Sequence, residues 1–332
     1  MNGSGRRGSR LPSRRLSRQP SRLFGSRGFF MKEIIKITMS LTGVCIGAAL
    51  ILGAVYTQTE GPRQKIEMKQ NEEVIQGLLG YGHGKHAPSD LVVRRIDRYV
   101  VQEPKGQTLL GYVLPVKDGK FTIALLDLEG KPADKVPVTA TAAELENKAT
   151  RNAAVKAALP KGSDATYADT YYIADQGGKR LGYVLPGKTQ GFKTFIKLMV
   201  SLDPNFTVTG VAITESEEDP GLGAEIQQDY FRNQFVGKTQ EQLTKLKVIK
   251  EPLPDKYFDV LDPLRAKKLR IKAEEIKKIK EKHLQDDIYA LTGATISSRA
   301  VTSGVQDTVK KFTYRFDLLK KAVEQERIPV AF

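Results

Sequence analysis

From Ile37 to Thr59 the chain runs for 23 residues, ITMSLTGVCIGAALILGAVYTQT, without one charged side chain. At the α-helical rise this stretch is roughly 35 Å long, enough to cross a hydrocarbon core of about 30 Å. In lipid every backbone amide must bond internally, so the pattern predicts a helix. It exceeds the 7–15 apolar residues of a signal peptide, and no A-x-A cleavage pattern follows, which favours a retained anchor. No later stretch is long and apolar enough to span, so the anchor is single. Residues 61–80 (GPRQKIEMKQNEEVIQGLLG) read as a polar helical stalk leaving the membrane.

Beyond the stalk the period shortens to that of strands. LGYVLP occurs at Leu110–Pro115 and again at Leu181–Pro186, 71 residues apart, and each copy leads into an apolar run. The runs are FTIALLDLEG from Phe121 and FKTFIKLMVSLD from Phe192, so the two phenylalanines keep the same spacing of 71. Helix-like segments precede both copies, at Glu72–Leu79 and Ala142–Leu159. Asp-Gly, Gly-Lys and Asp-Pro-Asn punctuation between strands predicts antiparallel hairpins. The expected fold class is α+β, with one N-terminal transmembrane helix and a duplicated α+β unit. Residues 256–285 carry strong helix formers and many lysines, and predict an exposed helix whose charged face is either solvated or docked on an acidic neighbour.

Charge changes the picture at the N-terminus. The formal net charge is +15, and residues 1–32 hold nine basic side chains with no Asp or Glu. This Gly/Ser-rich arm cannot form a core. Beside a membrane span it acts as a topology determinant or a contact with anionic lipid, and places its own side in the cytoplasm. No nucleic-acid partner is expected. Residues 60–332 then lie outside the cytoplasm. One cysteine, Cys45, excludes a disulfide framework, a CxxCH haem site and a thiolate cluster. Of three histidines, His83 and His86 fall in a Gly-rich stretch, and no metal site is expected. No G-x-G-x-x-G nicotinamide fingerprint and no Ser/His/Asp set appears, so no catalytic residue is assigned.

Candidate chemistry concentrates in Leu291–Ser298, LTGATISS. Gly293 opens backbone conformations closed to other residues, and Thr292, Thr295, Ser297 and Ser298 place four hydroxyls within seven residues. A helix-like run follows, and Ser297 or Ser298 is expected to cap it. Such a turn at a helix start is either a phosphate site or an ordinary capped helix.

TGAT followed by ISSRAV resembles the [S/T]GAT-x-[S/T]-S motif of the FMN-binding domain family. That family includes the G subunit of the Rnf electron-transport complex and the C subunit of the sodium-pumping NADH:quinone reductase. EDPGLGAEI (Glu218–Ile226) and FRNQFVGK (Phe231–Lys238) resemble the family's E-T-P-G-L-G segment and the aromatic run after it, with Asp219 in place of the usual Thr. Three positions before the motif the family has an acidic residue; here Tyr289 stands there. The resemblance covers roughly residues 165–312.

It implies FMN held covalently, its phosphate esterified to Thr295 by a separate flavin transferase, since no base sits beside that hydroxyl. Thr292, Gly293, Ala294, Ser297 and Ser298 complete the cofactor-binding motif, with Glu218, Gly221, Leu222 and Gly223 as further cofactor-binding positions. Leu222 and the Gly221 and Gly223 backbone are expected near the flavin ring; Glu218 either hydrogen-bonds in the site or caps a turn. The implied domains are a basic arm (1–32), transmembrane helix (33–59), stalk and first unit (60–160), FMN-binding domain (161–315) and C-terminal tail (316–332). The implied function is an electron-transfer subunit of an Rnf-type ferredoxin:NAD oxidoreductase that drives ion translocation, with the other membrane and redox subunits as partners. The alternatives are the C subunit of the quinone reductase, another respiratory flavoprotein, or an anchored binding module without redox chemistry.

Overall fold

The computed structural model describes residues 26–82, 86–104 and 106–330. The basic arm up to Gly25 and His83 lie outside the described residues. The chain divides into two compact units, residues 1–68 and 69–332.

The described part of the first unit is one helix. It belongs to α1 (Ser26–Gln76), which carries the whole uncharged stretch and continues through Pro62. It is long and apolar enough to cross a membrane. The polar stalk is helical, as its composition predicts.

The second unit is built on one eight-stranded antiparallel sheet. Its strands are β1 (Leu91–Gln102), β2 (Thr108–Pro115), β3 (Phe121–Leu126) and β4 (Pro132–Val138). After helices α2 (Ala142–Glu146) and α3 (Lys148–Ala158) come β5 (Asp164–Gln176), β6 (Lys179–Gln190), β7 (Phe195–Leu202) and β8 (Val208–Glu215). The order β4-β3-β2-β1-β5-β6-β7-β8 is two four-stranded meanders joined at their first strands. The LGYVLP copies occupy β2 and β6. Where the halves meet, Arg98 pairs in register with Asp169, again 71 residues apart. The Arg98 guanidinium grips that carboxylate through Nε and Nη2 at 2.8 and 2.5 Å, and Arg315 adds a third bond at 2.9 Å.

Alternation along LGYVLP assigns the two faces. Val113 and Val184 point one way, and Tyr112, Leu114, Tyr183 and Leu185 the other. On the valine face the helical segments are exchanged. Ile75 and Leu78, which precede the first copy, pack on Val184 and Met199 of the second. Leu145, Val155 and Leu159, which precede the second copy, cover Tyr99, Val113 and Ile123 of the first. The opposite face holds the largest core, closed by α4 (Asp229–Arg232), α5 (Gln240–Lys245) and above all α9 (Thr295–Gln325). Between α5 and α9 lie the parallel pair β9 (Val248–Ile249) and β10 (Ile288–Tyr289).

Three expectations are corrected. The exposed helix over 256–285 is three short ones: α6 (Asp255–Leu261), α7 (Pro263–Lys268) and α8 (Ala273–Lys282). Asp262 caps α7 with Pro263 at its first position, and Arg270 turns the chain with φ of +56°. The Phe121/Phe192 spacing does not mark equivalent positions. Pro115 pairs with Phe121, six residues on, whereas Pro186 pairs with Met199, thirteen on, so the second hairpin is seven residues longer. The boundary drawn at 315 falls inside α9, and Leu319, Ala322 and Ile328 of the expected tail are buried.

Phe312 anchors α9 on the sheet, with its ring 5.1 Å from Tyr171 and Tyr183 and 5.2 Å from Phe316. Phe312→Ala is expected to cost about 3–5 kcal/mol of stability, read as a lowered urea midpoint of the detergent-solubilised chain.

Candidate functional site

The seven extra residues of the second hairpin extend β6 through Gln190 and place Gly191–Lys193 beyond the end of the sheet. The N-terminal turns of α9 lie on this extension at close range. A Cβ at Gly304 would come within 2.9 Å of Leu198, and one at Gly187 would collide with Thr308.

Glu218 sits at the tip of this extension and is 5% exposed. Its Oε1 accepts the backbone amides of Phe192 at 2.9 Å and Lys193 at 3.1 Å. Its Oε2 accepts the Ser297 hydroxyl. One carboxylate thus holds the hairpin tip, the loop after β8 and the first turn of α9. It bonds across three segments rather than capping its own turn. Asp219, the departure from the family's Thr, forms an ion pair with Lys193 across the same junction.

The two glycine motifs converge here. Gly221, at φ +72°, turns the loop, and Leu222 reaches Gly293, which has φ +76°. A Cβ on Gly293 would stand 2.9 Å from Leu222 Cδ2. One on Gly223 would stand 2.8 Å from Glu218 Oε2 and 2.9 Å from Ser297 Oγ.

The four hydroxyls separate into two pairs. α9 starts at Thr295 with Ala294 before it and no side-chain cap, so neither serine caps the helix. Ser297 is spent on Glu218. Ser298 is fully buried; its Oγ accepts from Leu291 N at 3.0 Å and donates to Ala294 O at 2.9 Å, closing the turn. Thr292 is exposed and Thr295 half-buried, and among the described residues neither hydroxyl has a partner. Around them Phe192, Ile296 and Leu222 are 60%, 57% and 48% exposed.

FRNQFVGK is the platform beneath. Phe231 and Phe235 are core. Gln234 pairs with the backbone of Tyr289, accepting its N–H at 2.8 Å and donating to its C=O at 3.3 Å. Lys238 is buried and donates to the carbonyls of Leu284 and Asp286, and burial lowers its pKa against the pull of Asp286 and Asp287. Tyr289, in place of the family's acid, donates to Asp286 at 2.8 Å, and burial with that bond pushes its phenol up to about 12. Sequence reading passed over the Gly191–Lys193 tip, whose only signal was the failed phase of the second copy.

Residues 191–310 match the FMN-binding domain family. The match supports FMN as the ligand of this stretch. Its limits take in the hairpin tip, Glu218, the 291–298 turn and the first half of α9. Over 143 residues the chain is 32% identical to the G subunit of the proton-translocating ferredoxin:NAD(+) oxidoreductase complex of Clostridium ljungdahlii, covering 43% of this chain and 60% of that one. It is 28% identical to the G subunit of the Na(+)-translocating complex of Acetobacterium woodii, covering 42% and 54%. It is 27% identical to the C subunit of the Na(+)-translocating NADH-quinone reductase of Haemophilus ducreyi, covering 42% and 51%. The chain therefore spans about half to three fifths of these relatives. Among solved structures, Shewanella oneidensis NqrC aligns at TM-score 0.34 and 22% identity, covering 49% of this chain and 68% of that one.

The residues of this stretch fit a flavin mononucleotide. A phosphate carries two negative charges and needs donors, and the uncapped start of α9 offers free amides beside two unpartnered hydroxyls. A flat ring needs apolar surface, and Leu222, Ile296 and Phe192 present it.

Two outcomes test this architecture. Gly223→Ala is expected to cost about 1–3 kcal/mol by overpacking, and less in a Glu218→Ala background, because the carboxylate is gone and the Ser297 hydroxyl it held is free to turn away; additive urea-unfolding costs would refute the contact. Burial works to raise the Asp286 pKa, but bonds from His283 and Tyr289 outweigh it and hold the carboxyl below its ordinary value. The stabilisation is therefore present above about pH 4 and is lost as pH falls through the lowered folded value. Asp286→Asn is expected to cost about 1 kcal/mol at pH 7 and to flatten the acid limb of a stability-against-pH curve.

Proposed function

We propose that the chain is a membrane-anchored electron carrier with FMN covalently held on Thr295, serving as the G-type subunit of an Rnf-type ferredoxin:NAD oxidoreductase coupled to ion translocation. The observation that carries the reading is the Thr295 hydroxyl: half-exposed, unpartnered, and fixed at an uncapped helix start by the Glu218 bridge. The two G-type relatives, of a proton- and a Na(+)-translocating complex, support membership of such an assembly. The likeness to the C subunit of the quinone reductase supports the second reading, a carrier in a quinone-reducing complex.

In this reading Thr292, Gly293 and Ala294 shape the turn that receives the phosphate, and the α9 amides neutralise it. Ser297 and Ser298 act through Glu218 and the turn backbone, keeping Thr295 in place. Leu222, with the Gly221 and Gly223 backbone, borders the ring and limits water. When bound, FMN supplies the electron chemistry, and the protein sets its access and surroundings. Among the described residues no base is hydrogen-bonded to the Thr295 hydroxyl, so a flavin transferase makes the ester. The ester suits a carrier outside the cytoplasm, where lost cofactor is not replaced. The Arg-rich arm supports a cytoplasmic N-terminus and an extracytoplasmic carrier. The organisation proposed is arm 1–32, span 33–59, stalk and first unit 60–160 and FMN-binding domain from 161. The first unit, lacking a TGAT, carries no flavin of its own.

The test is intact mass and in-gel fluorescence after co-expression with a flavin transferase. The native chain is expected to gain one FMN less one water and to fluoresce after denaturing electrophoresis. Thr295→Ala is expected to lose both while remaining folded. Fluorescence surviving in that variant would refute Thr295 as the acceptor.

A further inference from the structure

The excursion between β9 and β10 packs inward through isoleucines. Ile271, Ile276 and Ile279 cover the small core of Tyr257, Val260, Leu261 and Tyr289. Leu264 and Leu269 do not join them. Leu264, in α7, is 78% exposed and Leu269, just after it, 50%. Lys267, Lys268 and Arg270 surround the pair, all exposed, and among the described residues none has a carboxylate within ion-pair distance. Of the nearby cations, Arg265 is engaged by Asp259 and Lys277 by Glu281.

This surface is held in shape. Asp262 Oδ1 accepts the amides of Leu264 and Arg265 at 2.8 and 3.1 Å. At the other end Arg270 N and Ile271 N donate to Lys267 O and Ala266 O, both at 3.1 Å, and buried Ala266 pins the turn from below. Two leucines are therefore held out in water beside cations that have no carboxylate partner among the described residues.

We propose that the α7 corner, Leu264 to Arg270, is a docking surface for an anionic lipid bilayer. Apolar side chains amid Lys and Arg match the interface of a membrane, where leucines enter the acyl boundary and cations meet phosphate head groups. A protein partner fits less well, because interface cores deplete lysine and favour aromatic anchors, and the corner has no aromatic residue. The corner is weak as a lone anchor. On a chain tethered by α1 the bilayer is present at high effective concentration, and a weak contact then suffices to restrain the soluble unit. The inference is independent of the flavin assignment, since no residue of the corner belongs to that site.

The chain contains no tryptophan, so Leu264→Trp introduces a single indole reporter. The full-length variant would be reconstituted into vesicles of phosphatidylcholine alone or with three tenths phosphatidylglycerol, each with and without brominated acyl chains. The expected result is blue-shifted emission, quenched at least about twofold by brominated lipid, only in the anionic vesicles, and reversed by 0.5 M salt. Adding Lys267→Glu and Lys268→Glu is expected to abolish the quenching while far-ultraviolet circular dichroism stays unchanged. Water-like, unquenched emission in both compositions would overturn the proposal, as would equal quenching in neutral vesicles. A blue shift that appears only on addition of the purified remaining subunits of the complex would overturn it in favour of an acidic protein partner.

Discussion

A single buried carboxylate fixes the relation between the parts that matter. Glu218 accepts bonds from the Phe192 and Lys193 amides and from the Ser297 hydroxyl, so the hairpin tip, the loop after β8 and the start of α9 share one fastening point. A charge so buried is tolerated only when its lone pairs are occupied, and three donors do this. The geometry is correspondingly intolerant. Cβ atoms at Gly191 and Gly223 would meet the carboxylate itself, so both glycines belong to the fastening rather than to ordinary turns. The open hydroxyls of Thr292 and Thr295 are a consequence, because the serines that could compete for the helix start are engaged elsewhere.

Duplication explains how such a site arose on an antiparallel sheet. The halves agree through β2 and β6, down to which face each side chain of LGYVLP occupies. They part company at the next hairpin, where seven added residues in the second half lengthen β6 and β7 and carry Gly191–Lys193 to Glu218. The exchange of helical segments on the valine face binds the halves together, because neither is covered without residues that precede the other.

Much of this was legible in the residues and some was not. The uncharged stretch, the strand alternation around LGYVLP and the two glycine motifs each carry their structural meaning locally, in period or in φ. The helix cap at Ser297 or Ser298 was misread because the start of α9 is set at long range, by Glu218 drawing Ser297 into the first turn from 79 positions away. The Phe121/Phe192 match failed because identity of letters outlasted identity of register. The long helix over 256–285 failed because Pro263, capped by Asp262, starts a new helix where composition alone reads continuity.

The first half of the sheet has no glycine-hydroxyl turn of its own, yet α9 depends on it. At 31 residues α9 is about 46 Å long, more than the second half alone covers. Its far turns rest on the first half: Arg315 binds Asp169 at the junction with β1, Leu318 packs on Gly130, and Val330 beyond the helix bridges to Val116. A helix held along this whole length cannot tilt as a body without breaking these far contacts. The duplicate therefore acts on the site mechanically. It supplies the bed that keeps the first turn of α9, and Thr295 with it, in one position relative to the loop that carries Leu222.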